Sequence, residues 1–173
     1  SGSTCCGAAG SARHASGSAG CAGDPILGGV GLAAAIGIPG LLLYLAARTL
    51  GLNAEVEPSA LHHSWWRIPV LILSAFANGF AEEVIVVGYL ITRLEQLGLS
   101  SARAVLASSA LRGMYHLYQG FGAGLGNVAM GLVFGYAWRR SGRLWPLVIA
   151  HGMIDTVAFV GYVMLAGHTG WLR

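Results

Sequence analysis

The sequence predicts an all-α fold, a polytopic transmembrane helix bundle of about five spans, and three observations carry that prediction. Only 10% of the 173 residues are charged, where a soluble domain carries roughly 25%. Hydrophobic residues make up 55% and the mean hydropathy is +0.64, so the chain has a core's worth of apolar surface and too little polar surface to cover it in water. From Ile26 onward, long apolar stretches alternate with short polar clusters, each stretch near the ~20 residues that cross ~30 Å of hydrocarbon.

Residues 1–23 are almost entirely Gly, Ala, Ser and Cys, a composition with no side chains large enough to build a core, and they read as a disordered tail. They have no contiguous apolar region of the kind a signal peptide carries. Residues 24–173 read as a single membrane-embedded domain. Cys5, Cys6 and Cys21 all lie in the tail, so neither a disulfide framework nor a cysteine-based metal site is expected in the apolar body.

The first span is predicted over about 26–47, with Pro39 kinking it or marking an irregular start, and the second over about 66–91. The third is predicted at about 102–118, the fourth at about 123–138 and the fifth at about 144–166. Gly131 and Gly135, following Gly122 and Gly126, have the small-xxx-small spacing that lets helix backbones approach closely in lipid. Arg93, Arg103, Arg139, Arg140 and Arg143 fall on one side of this topology, and Arg48, Arg67 and Arg173 on the other. The first side is therefore expected in the cytoplasm, together with the N-terminal tail, in a multi-pass protein of the cell membrane. Trp65, Trp66 and Trp171 suit the opposite interface. His62 and His63, in a polar loop, read as interface residues. A net charge of +3 with no dense basic stripe argues against nucleic acid as a partner.

A charge at the centre of a membrane helix costs on the order of 3 kcal/mol even on permissive scales, so the ionisable residues within the spans mark the chemistry. They are Glu82 and Glu83, Arg112 and His116, and His151 with Asp155 on one face. Glu82 precedes Arg93 by 11 residues and His151 follows Arg143 by 8, which at ~1.5 Å per residue puts both roughly 12 to 16 Å in from the cytoplasmic edge. Glu82 and His116 lie 17 residues to either side of a turn near residue 99, so antiparallel pairing brings them to the same level. A carboxylate and two histidines at one depth suit water activation and oxyanion stabilisation. The competing reading is a buried salt-bridge network, with Glu82 or Glu83 paired to Arg112, that specifies helix packing.

Three stretches also carry a family resemblance: EEVIVVG at 82–88, SSALRGMYH at 108–116 and LWPLVIAHGMID at 144–155. In order and spacing they resemble the E-E-x-x-x-R, F-x-x-x-H and H-x-x-x-N motifs of the CAAX prenyl endopeptidase and bacteriocin-processing (Abi) family of intramembrane proteases. The resemblance covers about residues 66–160. It implies an intramembrane endopeptidase in which Glu82 and His116 activate water, His151 with Asp155 stabilises the oxyanion, and Glu83 orients the site. A protein or peptide substrate, lipidated or membrane-bound, and the lipid bilayer are the implied partners.

Three positions depart from the pattern. Val87 stands where the first motif has Arg, Arg112 where the second has Phe, and Asp155 where the third commonly has an amide. Positions 87 and 112 are nearly equidistant from the turn, so Arg112 is expected to supply the missing guanidinium from the facing helix, and it is also a candidate for substrate binding. An ionised Asp155 would oppose an oxyanion, so it either holds His151 protonated or is itself neutral. No cofactor is favoured, and a zinc ion held by Glu82, Glu83, His116 and His151 is left open, there being no H-E-x-x-H. The alternative function is a non-catalytic membrane scaffold or bacteriocin-immunity protein with the same fold. A transporter fits less well, because the polar residues gather at one site and do not line a path.

Overall fold

The computed structural model describes residues 24–52 and 65–166. The tail at 1–23, His62, His63, Trp171 and Arg173 lie outside them. Among the described residues there is no strand, and five helices follow one another: α1 (Pro25–Thr49), α2 (Arg67–Gln96), α3 (Ser101–Tyr115), α4 (Phe121–Ser141) and α5 (Trp145–Ala166). A short 3₁₀ turn, Leu117–Gln119, joins α3 to α4.

Local chemistry explains the ends. Asp24 caps α1, its carboxylate accepting the Ile26 N–H at 2.9 Å, and Pro25 takes the first helical position, where no N–H is needed. Helix α1 continues through Pro39, so that residue neither ends nor begins it. After α2, Gly98 turns to φ 95° while its N–H donates to the Glu95 carbonyl at 2.9 Å and the Leu99 N–H donates to Leu94 at 3.1 Å. A side chain would resist that backbone conformation, and the tight turn folds α3 back against α2.

Three of the helices, α1, α2 and α5, are long and apolar enough to cross a membrane, fewer than the five spans expected. Helix α3 has 15 residues, about 22 Å at 1.5 Å per residue, and carries Ser, Arg and Gly along its length. Helix α4 reaches 21 residues, but glycines and the terminal Arg139 and Arg140 dilute its apolar content. The surface is inverted relative to a water-soluble protein. Leu27, Leu73, Leu97 and Val157 point outward, while Arg112, Glu83 and His151 are among the largest fully buried side chains. Lipid is the solvent that favours this distribution.

Helix α5 packs between α1 and α2, and α3 packs along α4. Small residues set the close approaches. A Cβ on Gly131 would meet Ser109 at 3.0 Å, one on Gly135 would meet Val105 at 2.8 Å, and one on Gly124 would meet Leu117 at 2.6 Å. The contact between α3 and α4 thus runs through Gly124, Gly131 and Gly135. Gly126, predicted for the same stripe, instead looks toward Leu43 on α1. On the other side of the bundle Gly79 and Gly152 bring α2 and α5 together.

Helix α2 is not uniform. Its middle, Glu83–Leu90, is a π-helix between α-helical ends. Such widened turns leave carbonyls in need of partners and recur at functional sites. Here Ser108 on α3 donates its hydroxyl to the Val86 carbonyl at 2.6 Å, and Thr92 donates to Gly88 at 2.6 Å.

Candidate active site

The three motif stretches meet where α2, α3 and α5 converge. Arg112 sits at the centre with no exposed surface. Its Nη2 donates to Glu83 Oε1 at 2.5 Å and to Glu82 Oε2 at 3.1 Å, and lies 3.0 Å from His151 Nδ1. His151 Nδ1 is also 2.8 Å from Glu83 Oε1. An anionic oxygen at that distance calls for a proton on Nδ1, so we assign Nδ1–H as donor to Glu83. The two protons of Nη2 then serve the two glutamates, and the Nε2 edge of His151 faces Asp155, 3.6 Å from Oδ2. The guanidinium also lies 5.7 Å from the centroid of the Phe134 ring, within cation–π range.

Glu83, Arg112 and His151 form the buried floor. Above them lies a more open tier of Glu82, His116 and Asp155, with side chains 14%, 11% and 18% exposed. His116 Nδ1–H donates to the Arg112 carbonyl at 3.0 Å, which fixes the tautomer and turns Nε2 toward Glu82 Oε1, 3.7 Å away. The two oxygens of Glu82 are unequal. Oε2 takes the Tyr115 hydroxyl at 2.7 Å as well as Arg112, whereas Oε1 takes an N–H from Asn78 at 3.3 Å.

The structure therefore brings together all six residues singled out from the sequence. Arg112, also expected as a candidate for substrate binding, is buried and paired with both glutamates, and Val87 is buried in the apolar core. Two further residues escaped the sequence reading. Asn78 is one helical turn before Glu82, and Tyr115 directly precedes His116. An amide at i−4 from an intramembrane carboxylate is a readable signal, since that spacing puts both on one face.

The zinc set of Glu82, Glu83, His116 and His151 does not fit as arranged. The Arg112 guanidinium already stands as the cation against Glu82, Glu83 and His151, and Arg does not give up its charge. Among the described residues no three His, Cys, Asp or Glu side chains converge with metal-ligand spacing.

A helical bundle with apolar flanks and a carboxylate–histidine–guanidinium cluster enclosed between its helices defines a membrane protein with an intramembrane polar site. Residues 64–157 match the family model for the type II CAAX prenyl endopeptidase Rce1-like proteins, more than half of the chain, and the chain belongs to that family. Membership places it among CAAX-type intramembrane proteases. No curated protein and no solved structure gives a significant match.

Proposed function

We propose that the chain is an intramembrane endopeptidase that hydrolyses a peptide bond with water activated by Glu82 and His116, on a substrate carrying a lipidated cysteine near its C-terminus. The observation that carries this reading is the asymmetry of Glu82. Two strong donors hold Oε2, while Oε1 has a single long N–H bond and faces Nε2 of His116 at 3.7 Å, a gap that one water spans while hydrogen-bonding both atoms.

In this mechanism Glu82 Oε1 takes a proton from the water as its oxygen bonds to the carbonyl carbon, and the π pair of the carbonyl moves onto oxygen. A proton held on the His151 Nε2–Asp155 pair meets that oxyanion. When the tetrahedral intermediate collapses, the C–N bond breaks and Glu82 returns its proton to the leaving amine. Glu83 and Arg112 keep the histidine and the base in place. This chemistry calls on no metal, the Arg112 guanidinium being the cation that faces both carboxylates.

The experiment is cleavage, by the full chain in proteoliposomes, of an internally quenched peptide with an S-farnesyl cysteine followed by three residues. Cleavage that persists in a strong chelator supports the proposal. Chelator-abolished cleavage restored by Zn²⁺ would refute the metal-free mechanism. Binding without cleavage would instead support the non-catalytic scaffold, a reading favoured by the fully partnered Oε2 of Glu82.

A further inference from the structure

Asn78 has no part in the chemistry above, yet its amide nitrogen joins the two halves of the site. Nδ2 donates one proton to Glu82 Oε1 at 3.3 Å and another to Asp155 Oδ2 at 3.2 Å, from α2 to a residue 77 positions away on α5. The side chain is exposed, not embedded in the core, and sits on a regular α-helical stretch one turn from the base. Both hydrogen bonds are long beside the 2.7 Å bond from Tyr115 to Glu82, so the amide protons are the less firmly committed ones at the mouth of the site.

Asp155 Oδ2 marks where the donors of this mouth converge: it is a carboxyl oxygen approached by Asn78 Nδ2 at 3.2 Å and by His151 Nε2 at 3.6 Å. Two nitrogens, one from α2 and one from α5, thus converge on a single oxygen beside the base. That is the arrangement an oxyanion formed next to Glu82 requires.

We propose that Asn78 is a further catalytic residue, whose Nδ2–H donates to the oxyanion of the tetrahedral intermediate. The proposal rests on Glu82 being the base. As Glu82 Oε1 takes the proton of water, one unit of negative charge leaves its carboxylate and appears on the substrate oxygen. Oε1, now bearing hydrogen, is a poorer acceptor, and the N–H that it held turns to the stronger acceptor that has just formed. When the C–N bond breaks and Glu82 protonates the amine, the carboxylate is restored and Asn78 returns to it. Charge and donor move together, and water is the sole co-reactant.

The test compares Asn78→Ala and Asn78→Asp with the parent chain, using the S-farnesyl quenched peptide and a peptide aldehyde of the same sequence, whose hydrate mimics the tetrahedral intermediate. Loss of one oxyanion donor lowers kcat by about 100-fold or more, with KM within about threefold because ground-state binding does not use the donor. The aldehyde inhibition constant rises in parallel with the loss in kcat/KM, a change that mere support of the helix pair would not produce. Since the side chain is exposed, the thermal midpoint of Asn78→Ala in detergent stays near that of the parent. Parental kcat in Asn78→Ala, or a loss of kcat with unchanged aldehyde affinity, overturns the role of Asn78 while leaving Glu82 as base. An inactive parent, or an active Glu82→Gln chain, overturns both readings.

Discussion

Replacing Arg112 by alanine removes the positive charge that two glutamates share. The guanidinium reaches both carboxylates through one nitrogen, at 3.1 Å to Glu82 and 2.5 Å to Glu83, from a side chain with no exposed surface. Removing one partner of a buried ion pair costs about 3–5 kcal/mol, because the other charge stays behind uncompensated. For a chain of this size that lowers Tm by roughly 6–20 °C. Val87 offers a way to separate lost charge from lost packing. Val87 belongs to the buried apolar cluster that includes Phe134, and the Arg112 guanidinium lies 5.7 Å from the centroid of the same ring. In the parent chain Val87→Arg forces a long side chain and a second cation into a filled core, destabilising by about 1–3 kcal/mol. In the Arg112→Ala background the same substitution enters vacated space beside two unpaired carboxylates, so its cost falls by the coupling energy. The assay is a double-mutant cycle of thermal unfolding in detergent, with peptide cleavage measured on the same preparations, and the expected coupling is about 0.5–3 kcal/mol. If Val87→Arg costs the same in both backgrounds, the guanidinium does not act through the glutamates and the charge argument fails.

The remaining expectations are more direct. Glu82→Gln and His116→Ala each abolish cleavage while the protein stays folded and inserted, and near-parental turnover in both would eliminate the enzyme reading. Single cysteines at positions 141 and 121, in a chain whose three native cysteines lie in the tail, label from the cytoplasmic and the opposite side respectively in intact cells, following the Arg asymmetry; reversed labelling at both overturns the orientation. Gly152→Ala drives a methyl into the Phe76 ring, whose atoms lie 2.5 to 2.8 Å from that Cβ position. Because the contact includes the ring's Cγ, the helices must part, and we expect about 1–3 kcal/mol of destabilisation with reduced activity from the displaced His151. Unchanged Tm and activity would show that α2 and α5 tolerate a wider spacing.

The apolar runs made the helices legible, since segment ends fell within a few residues of those found, and simple depth arithmetic placed Glu82, His116 and His151 at one level. That worked because a helix converts residue number to height at a fixed rate. What the numbers could not give was rotation about each helix axis. Tyr115 and Asn78 are in the site because of where their faces point. The Gly stripe shows the same limit, Gly124 facing α3 where Gly126 faces α1. Nor does anything in Glu83–Leu90 announce a π-helix; the Ser108 hydroxyl that holds Val86 comes from another helix, and only tertiary packing brings it there.

That widened turn makes the site a matter of phase. A π segment absorbs one residue more than an α-helix of the same height, so the stretch before Glu83 and the stretch after Leu90 are offset in rotation by about one residue, roughly 100°. Deleting a single residue from the segment would let it relax to ordinary α-helix with every apolar side chain still suited to lipid. Such a chain would keep its length, composition and insertion almost unchanged, yet its two halves of α2 would no longer face Arg112 and α3 at once. The arrangement of the site is thus written as much in a counting offset as in the identity of its acids and bases.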